Sequence, residues 1–147
     1  MKHLIVVRHG DYYENGLSDD GRKKIKCLAH KLRPYVSGES VVILTSPVGR
    51  AYESAGILCS FFGVSCEKYE ILWSENSHPK DFAGTLELVR LNNKSDTLIL
   101  VTHYEYVETF PQYFAMSELG ISLSSYLIGK GEAWVIDCQQ KVLTHIR

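Results

Sequence analysis

Apolar and polar positions divide this chain into short unbroken apolar runs and longer amphipathic stretches. Residues 3–8 contain the run Leu4-Ile5-Val6-Val7, closed by Gly10. A run of that length bounded by glycine predicts a buried strand. Residues 41–45 and 97–102 repeat the pattern. Between the first two runs, Ile25, Leu28, Ala29 and Leu32 recur at helical spacing. Ser18 suits the cap of that helix, Asp19 and Asp20 suit its positive end, and Pro34 stops it. After the second run, Ser46 and Pro47 suit an N-cap and a first helical position. Ala51, Ala55, Leu58 and Phe62 form the stripe of a second helix, with Gly63 as its C-cap. Residues 67–72 predict a shorter strand, 73–80 a loop and 81–91 a third helix with Phe82, Leu86 and Val89 inward. A fourth helix is predicted over 106–116, with Pro111 at a start or a kink. Residues 133–137 and 142–146 predict two strands joined by a polar turn. Strands alternating with helices imply α/β layers around a mainly parallel sheet.

The chain has 147 residues, 45% hydrophobic and 22% charged, which fits a single domain spanning 1–147 with one real core. The formal net charge of -1 gives no bulk attraction to nucleic acid or to an acidic membrane. No apolar stretch reaches the length of a membrane span, and no signal segment is apparent. Cys27, Cys59, Cys66 and Cys138 form no C-x-x-C pair and no zinc-type spacing. Four reduced, mostly buried thiols in a cytoplasmic protein are expected, with a Cys59–Cys66 disulfide as the alternative.

The candidate chemistry sits where the apolar runs end. The first ends Val7-Arg8-His9-Gly10. The second ends Thr45-Ser46-Pro47, with Arg50 one turn into the next helix. The third ends Val101-Thr102-His103. In a parallel sheet these ends share one edge, where open α/β sheets bind ligands. Two arginines and two histidines then converge, a set suited to a phosphoryl group. Arginine forks match phosphate oxygens and stay charged. A histidine among them can attack phosphorus, and a second can donate to the oxygens that gain charge. Side chains supply the cations, so no metal or other cofactor is expected.

With Leu17-Ser18-Asp19-Asp20-Gly21, Ser46-Pro47-Val48-Gly49-Arg50-Ala51, Glu53-Ser54-Ala55 and Val101-Thr102-His103, the chain resembles the histidine phosphatase (phosphoglycerate mutase-like) superfamily. The resemblance implies a three-layer α/β/α sandwich, with His9 as nucleophile. It implies that Arg8, Arg50 and His103 hold the phosphate, with Asn15 as a further phosphate contact. It implies a carboxylate proton donor in the loop after the second helix and its strand. Glu75 is the first candidate, although it stands one position off the usual spacing. Asp11 and Glu105 are the others. The short chain is most similar to the small bacterial SixA-type phosphohistidine phosphatases, which also carry an aspartate after R-H-G, as Asp11 does here.

A bare domain of this kind suits a phosphorylated protein as substrate better than a small phosphate ester. The rival expectations are a small-molecule phosphomonoesterase or mutase, and a weakly active phosphate-binding module. Tyr104 and Glu105, beside His103, motivate the second. Tyr12, Tyr13, Trp73 and Tyr104 are expected at the pocket rim or in small satellite cores. Arg22, Lys23, Lys24 and Lys26 read as the wet face of the first helix.

Overall fold

The computed structural model describes residues 1–14, 16–36, 40–75 and 77–147. The apolar run at the start forms β1 (His3–Arg8). A two-residue hairpin follows, β2 (Tyr12–Tyr13) and β3 (Gly16–Leu17). Then come α1 (Asp19–Leu32), β4 (Val41–Thr45), α2 (Gly49–Phe62) and β5 (Cys66–Lys68). A 3₁₀ turn spans Glu70–Leu72, ahead of α3 (Phe82–Leu91), β6 (Thr97–Thr102) and α4 (Tyr104–Phe114). The chain closes with the hairpin of β7 (Ala133–Asp137) and β8 (Val142–Ile146).

The main sheet runs β5-β4-β6-β1-β7-β8. Its first four strands are parallel, β7 runs antiparallel to them, and β8, antiparallel to β7, runs in their direction again. Alternation along the central strands builds two cores. Leu4, Val6, Leu98 and Leu100 pack with Leu86, Val89, Phe110 and Phe114 of α3 and α4. Ile5, Val7, Ile99 and Val101 pack with Ile25, Leu28, Ala55 and Leu58 of α1 and α2. Strands buried on both faces read as unbroken apolar runs for this reason. The result is a three-layer α/β/α sandwich with a mainly parallel centre. Among the described residues, no helix is long and apolar enough to cross a membrane.

Four local expectations are corrected. The second helix begins at Gly49 with Val48 at the cap position, not at Ser46 and Pro47, because the Ser46 hydroxyl is committed to other partners. Residues 67–72 are not one strand. Pairing with β4 stops at Lys68, and the chain then coils under the sheet edge, where Tyr69 donates its N–H to the Thr45 carbonyl. The fourth helix starts two residues early, directly after His103, and Pro111 lies inside it. Finally, Cys59 and Cys66 form a disulfide that joins the last turns of α2 to β5, while Cys27 and Cys138 are free. The left-handed Gly63 turns the chain back on itself and brings the two thiols together. That bond removes the thiol argument for a reducing compartment.

Candidate active site

Strand register brings the site together. Arg8 lies opposite Thr102, and Thr45 lies opposite Val101. The next residues, His9, His103 and Ser46, therefore leave the sheet side by side. The ladder runs one step past the strands: His9 N–H donates to the Thr102 carbonyl at 3.1 Å, and Ser46 N–H donates to Val101 at 3.0 Å. The His9 and His103 rings meet at 5.2 Å between centroids. Both are buried, with 4% and 1% of their surface exposed.

His9 is held in one tautomer. Its Nδ1 lies 2.9 Å from the Gly10 carbonyl, which can only accept, so Nδ1 carries the proton and Nε2 keeps its lone pair. Burial pushes its pKa down to about 4. The Gly10 hydrogen bond opposes this, and the charges of Arg50, Arg8 and Lys130 reinforce it. Near neutral pH the ring is an uncharged imidazole with a free nucleophilic nitrogen. Gly10 is itself fixed, since its N–H donates to Ser54 Oγ at 2.9 Å and that hydroxyl donates to the Arg50 carbonyl.

His103 occupies the cap position of α4, where its carbonyl accepts the N–H groups of Tyr106 and Val107. Its Nε2 lies 2.8 Å from Ser46 Oγ, which accepts the Val48 N–H at 3.2 Å. With Ser46 donating to Nε2 the ring proton sits on Nδ1, and with Nε2 donating to Ser46 it sits on Nε2. Burial lowers the His103 pKa to about 3, helped by His9, Arg50 and Arg8.

The arginines flank this pair. Arg8 Nη1 donates to the Ile128 carbonyl at 2.8 Å. The Nε atoms of Arg8 and Arg50 are buried donors without a described acceptor. Trp73 Nε1 and Ser74 Oγ are in the same condition. Their segment is tied to the same sheet edge, because Thr102 Oγ1 donates to the Leu72 carbonyl. Buried donors without acceptors are uncommon, and several at one sheet edge mark a place suited to an anion.

Lys130 was not legible as a site residue, whereas Tyr12 was expected at the pocket rim or in a small satellite core. Tyr12 packs edge-on against His9 at 5.4 Å, while Arg50 and Lys130 lie over its ring at 4.7 and 4.9 Å. Lys130 arrives on a loop clamped to the backbone of β1: Gly131 N–H donates to the carbonyls of Arg8 and His9. Gly131 has φ +75°, a left-handed conformation that favours glycine. The Glu132 carboxylate secures the same loop by accepting the Gly129 N–H at 2.8 Å and pairing with His145 and Lys24. Burial would raise Glu132, but these partners hold it below the usual carboxylate range. A lysine between two glycines, just ahead of an apolar strand, was the available signal.

Glu75 is exposed in a tight turn, its backbone exchanging hydrogen bonds with His78 at 2.8 and 2.9 Å. Asp11 pairs with Lys130 at 3.5 Å and accepts from Ser18 at the start of α1. Tyr104 is exposed beside Glu105, whose charge and hydrogen bond raise the phenol pKa. Arg50, Arg8 and Lys130 lower the His9 pKa, and Arg50 and Arg8 are among the groups that lower that of His103. Asn15, the further phosphate contact expected, lies outside the described residues.

No protein-family model matches the sequence. No curated protein aligns with it significantly. Solved structures do match. The protein histidine phosphatase SixA complexed with tungstate is 14% identical with a TM-score of 0.69, over 99% of this chain and 94% of that one. A mycobacterial glucosyl-3-phosphoglycerate phosphatase is 15% identical with a TM-score of 0.63, over 99% and 97%. A phosphoserine phosphatase from Entamoeba histolytica, in complex with 3-phosphoglyceric acid, is 15% identical with a TM-score of 0.61, over 100% and 98%. The chain has the phosphoglycerate mutase-like fold that these phosphatase structures share.

Proposed function

We propose that residues 1–147 act as one phosphatase domain that works through a phosphohistidine on His9, with protein phosphohistidine as the preferred substrate. The observation that carries this reading is the state of His9. It is buried and neutral, with Nδ1 spent on Gly10 and Nε2 free, among three cations. Nε2 attacks phosphorus and the bond to the leaving group breaks. Arg8, Arg50 and the Nδ1–H of His103 stabilise the oxygens that gain charge. Guanidinium groups carry the positive charge that a metal carries in other phosphatases. Water then cleaves the phosphorus–nitrogen bond, releasing phosphate and restoring His9.

The substrate follows from the leaving group. An alkoxide needs a proton as it departs, and hence a placed acid. A phosphohistidine ring whose distal nitrogen has taken a proton from solvent leaves as neutral imidazole when its bond to phosphorus breaks. A pocket whose histidines are flanked by Arg8, Arg50 and Lys130 suits the second case. The fold also houses phosphatases whose names specify sugar-phosphate and phosphoserine substrates, so a panel is the test. The kcat/KM for a phosphohistidine peptide should exceed that for phosphoserine peptides and phosphoglycerates by about a hundredfold or more, the usual worth of a general acid. Equal or better turnover of the alkyl phosphates would overturn the substrate reading.

A further inference from the structure

A groove of about 600 Å³ runs between α1 and α2 on the outer face of the sandwich. Arg22, Lys26 and His30 line one wall, and Glu53, Ile57 and Phe61 line the other. We propose that this groove docks an acidic segment of the phosphoprotein substrate. The proposal rests on the phosphatase reading above and names what that enzyme recognises besides the phosphoryl group.

The groove's upper end abuts the β2–β3 hairpin, in which Leu17 pairs with Tyr12, the residue packed against His9. Glu53, at its upper end, accepts the Leu17 N–H at 2.7 Å and pairs with Arg22 at 3.2 Å. The next residue, Ser54, holds Gly10 beside the nucleophile. From Glu53 to Phe61 is eight residues of helix, about 12 Å at the usual rise. An extended peptide covers that span in about four residues. A chain whose phosphorylated side chain enters at His9 can therefore lay its neighbouring residues along the groove.

Arg22 and Glu53 offset each other, so the net positive charge comes from Lys26 in the lining and from Arg33 beside Phe61. Glu53 is the only carboxylate in the lining, and Arg22 and the Leu17 N–H already occupy it. Lys26 has no carboxylate partner among the described residues. Arg33 lies over the Phe61 ring at 5.0 Å, and His30 packs on the same ring at 4.7 Å. On a chain of net charge -1, this is a local concentration of cations around an accessible apolar floor. An acidic segment with one apolar side chain complements both features. Cations at a rim of this kind act on encounter and on the salt dependence of binding.

Two measurements on the full chain test the idea. In the first, a fluorescein-labelled, unphosphorylated glutamate-rich peptide with a central leucine is titrated by anisotropy. Wild type should bind it, with Kd rising as salt rises, and Lys26→Glu should weaken binding about tenfold. In the second, KM is compared for phosphohistidine peptides with acidic or neutral extensions, with phosphoramidate as a small substrate. Lys26→Glu should raise KM about tenfold for the acidic peptide only and leave phosphoramidate turnover unchanged. Equal affinity of wild type and variant for the labelled peptide would overturn the proposal, as would binding to anionic vesicles without binding to the peptide. Failure of the phosphatase reading looks different, because no substrate would then turn over in either protein.

Discussion

At the scale of single residues, His9 combines two demands that oppose each other in water. A nucleophile must be unprotonated, yet a phosphoryl site must be positive. Burial and the surrounding cations lower the His9 pKa to about 4, so the same charges that attract the substrate keep the attacker neutral. Its reactivity should accordingly persist well below the ordinary histidine pKa of about 6.5. The kcat/KM profile should bend down only as pH approaches 4; an acid limb centred near 6.5 would show that His9 is not shielded as described. Stability follows the same linkage with a defined sign. Above pH 6.5 both folded and unfolded chains hold neutral rings, and nothing is gained or lost. Between 6.5 and 4 the unfolded chain binds protons that the folded one refuses, so stability falls as pH falls. Replacing the group with His9→Asn should flatten that decline in a urea titration series; an unchanged slope would contradict it. Arg50→Ala should lower kcat/KM by about two to three orders of magnitude, as expected for losing one transition-state donor. A loss under tenfold would remove Arg50 from the oxygen-binding set.

At the scale of elements, the site depends on backbone segments that hold one another. Ser54, buried in α2, is the acceptor for the Gly10 N–H. Ser54→Ala leaves that donor unsatisfied, which should cost about 1–3 kcal/mol of folding free energy, read from the urea midpoint. Gly21, in the first turn of α1, lets the helix start against the loop after His9. A Cβ there would stand 2.1 Å from the Asp11 carbonyl oxygen. Gly131 serves the loop that carries Lys130. Gly131→Ala should cost about 1–2 kcal/mol from its left-handed backbone alone, with a Tm drop of a few degrees. An unchanged Tm would mean the loop is not clamped as described. These segments also explain what the sequence could reveal. Arg8, His9, Arg50 and His103 were legible because each follows an unbroken apolar run or opens the helix after one. Lys130 was not, because its place depends on Gly131 bonding to the carbonyls of Arg8 and His9 at the far end of the sequence. The start of α2 was misplaced because Ser46 resembles a cap in sequence but serves His103 in space.

At the scale of the whole molecule, the parallel order of β4, β6 and β1 turns three separate strand ends into one pocket. The layered core then holds that edge still. The fold was legible because doubly buried strands and amphipathic helices leave different periods in the sequence. The Cys59–Cys66 bond was not, since its formation depends on how α2 turns into β5. The proposed recognition beyond the phosphoryl group lies on the face of α1 and α2, and the proposed chemistry lies at His9. The most direct test of that chemistry is rapid quench of the full chain with a phosphohistidine peptide, followed by mass spectrometry of the protein under alkaline conditions. The account predicts a transient, acid-labile phosphoryl group on His9, absent in His9→Ala together with turnover. A phosphoryl group on any other residue, or His9→Ala working at the wild-type rate, would contradict it.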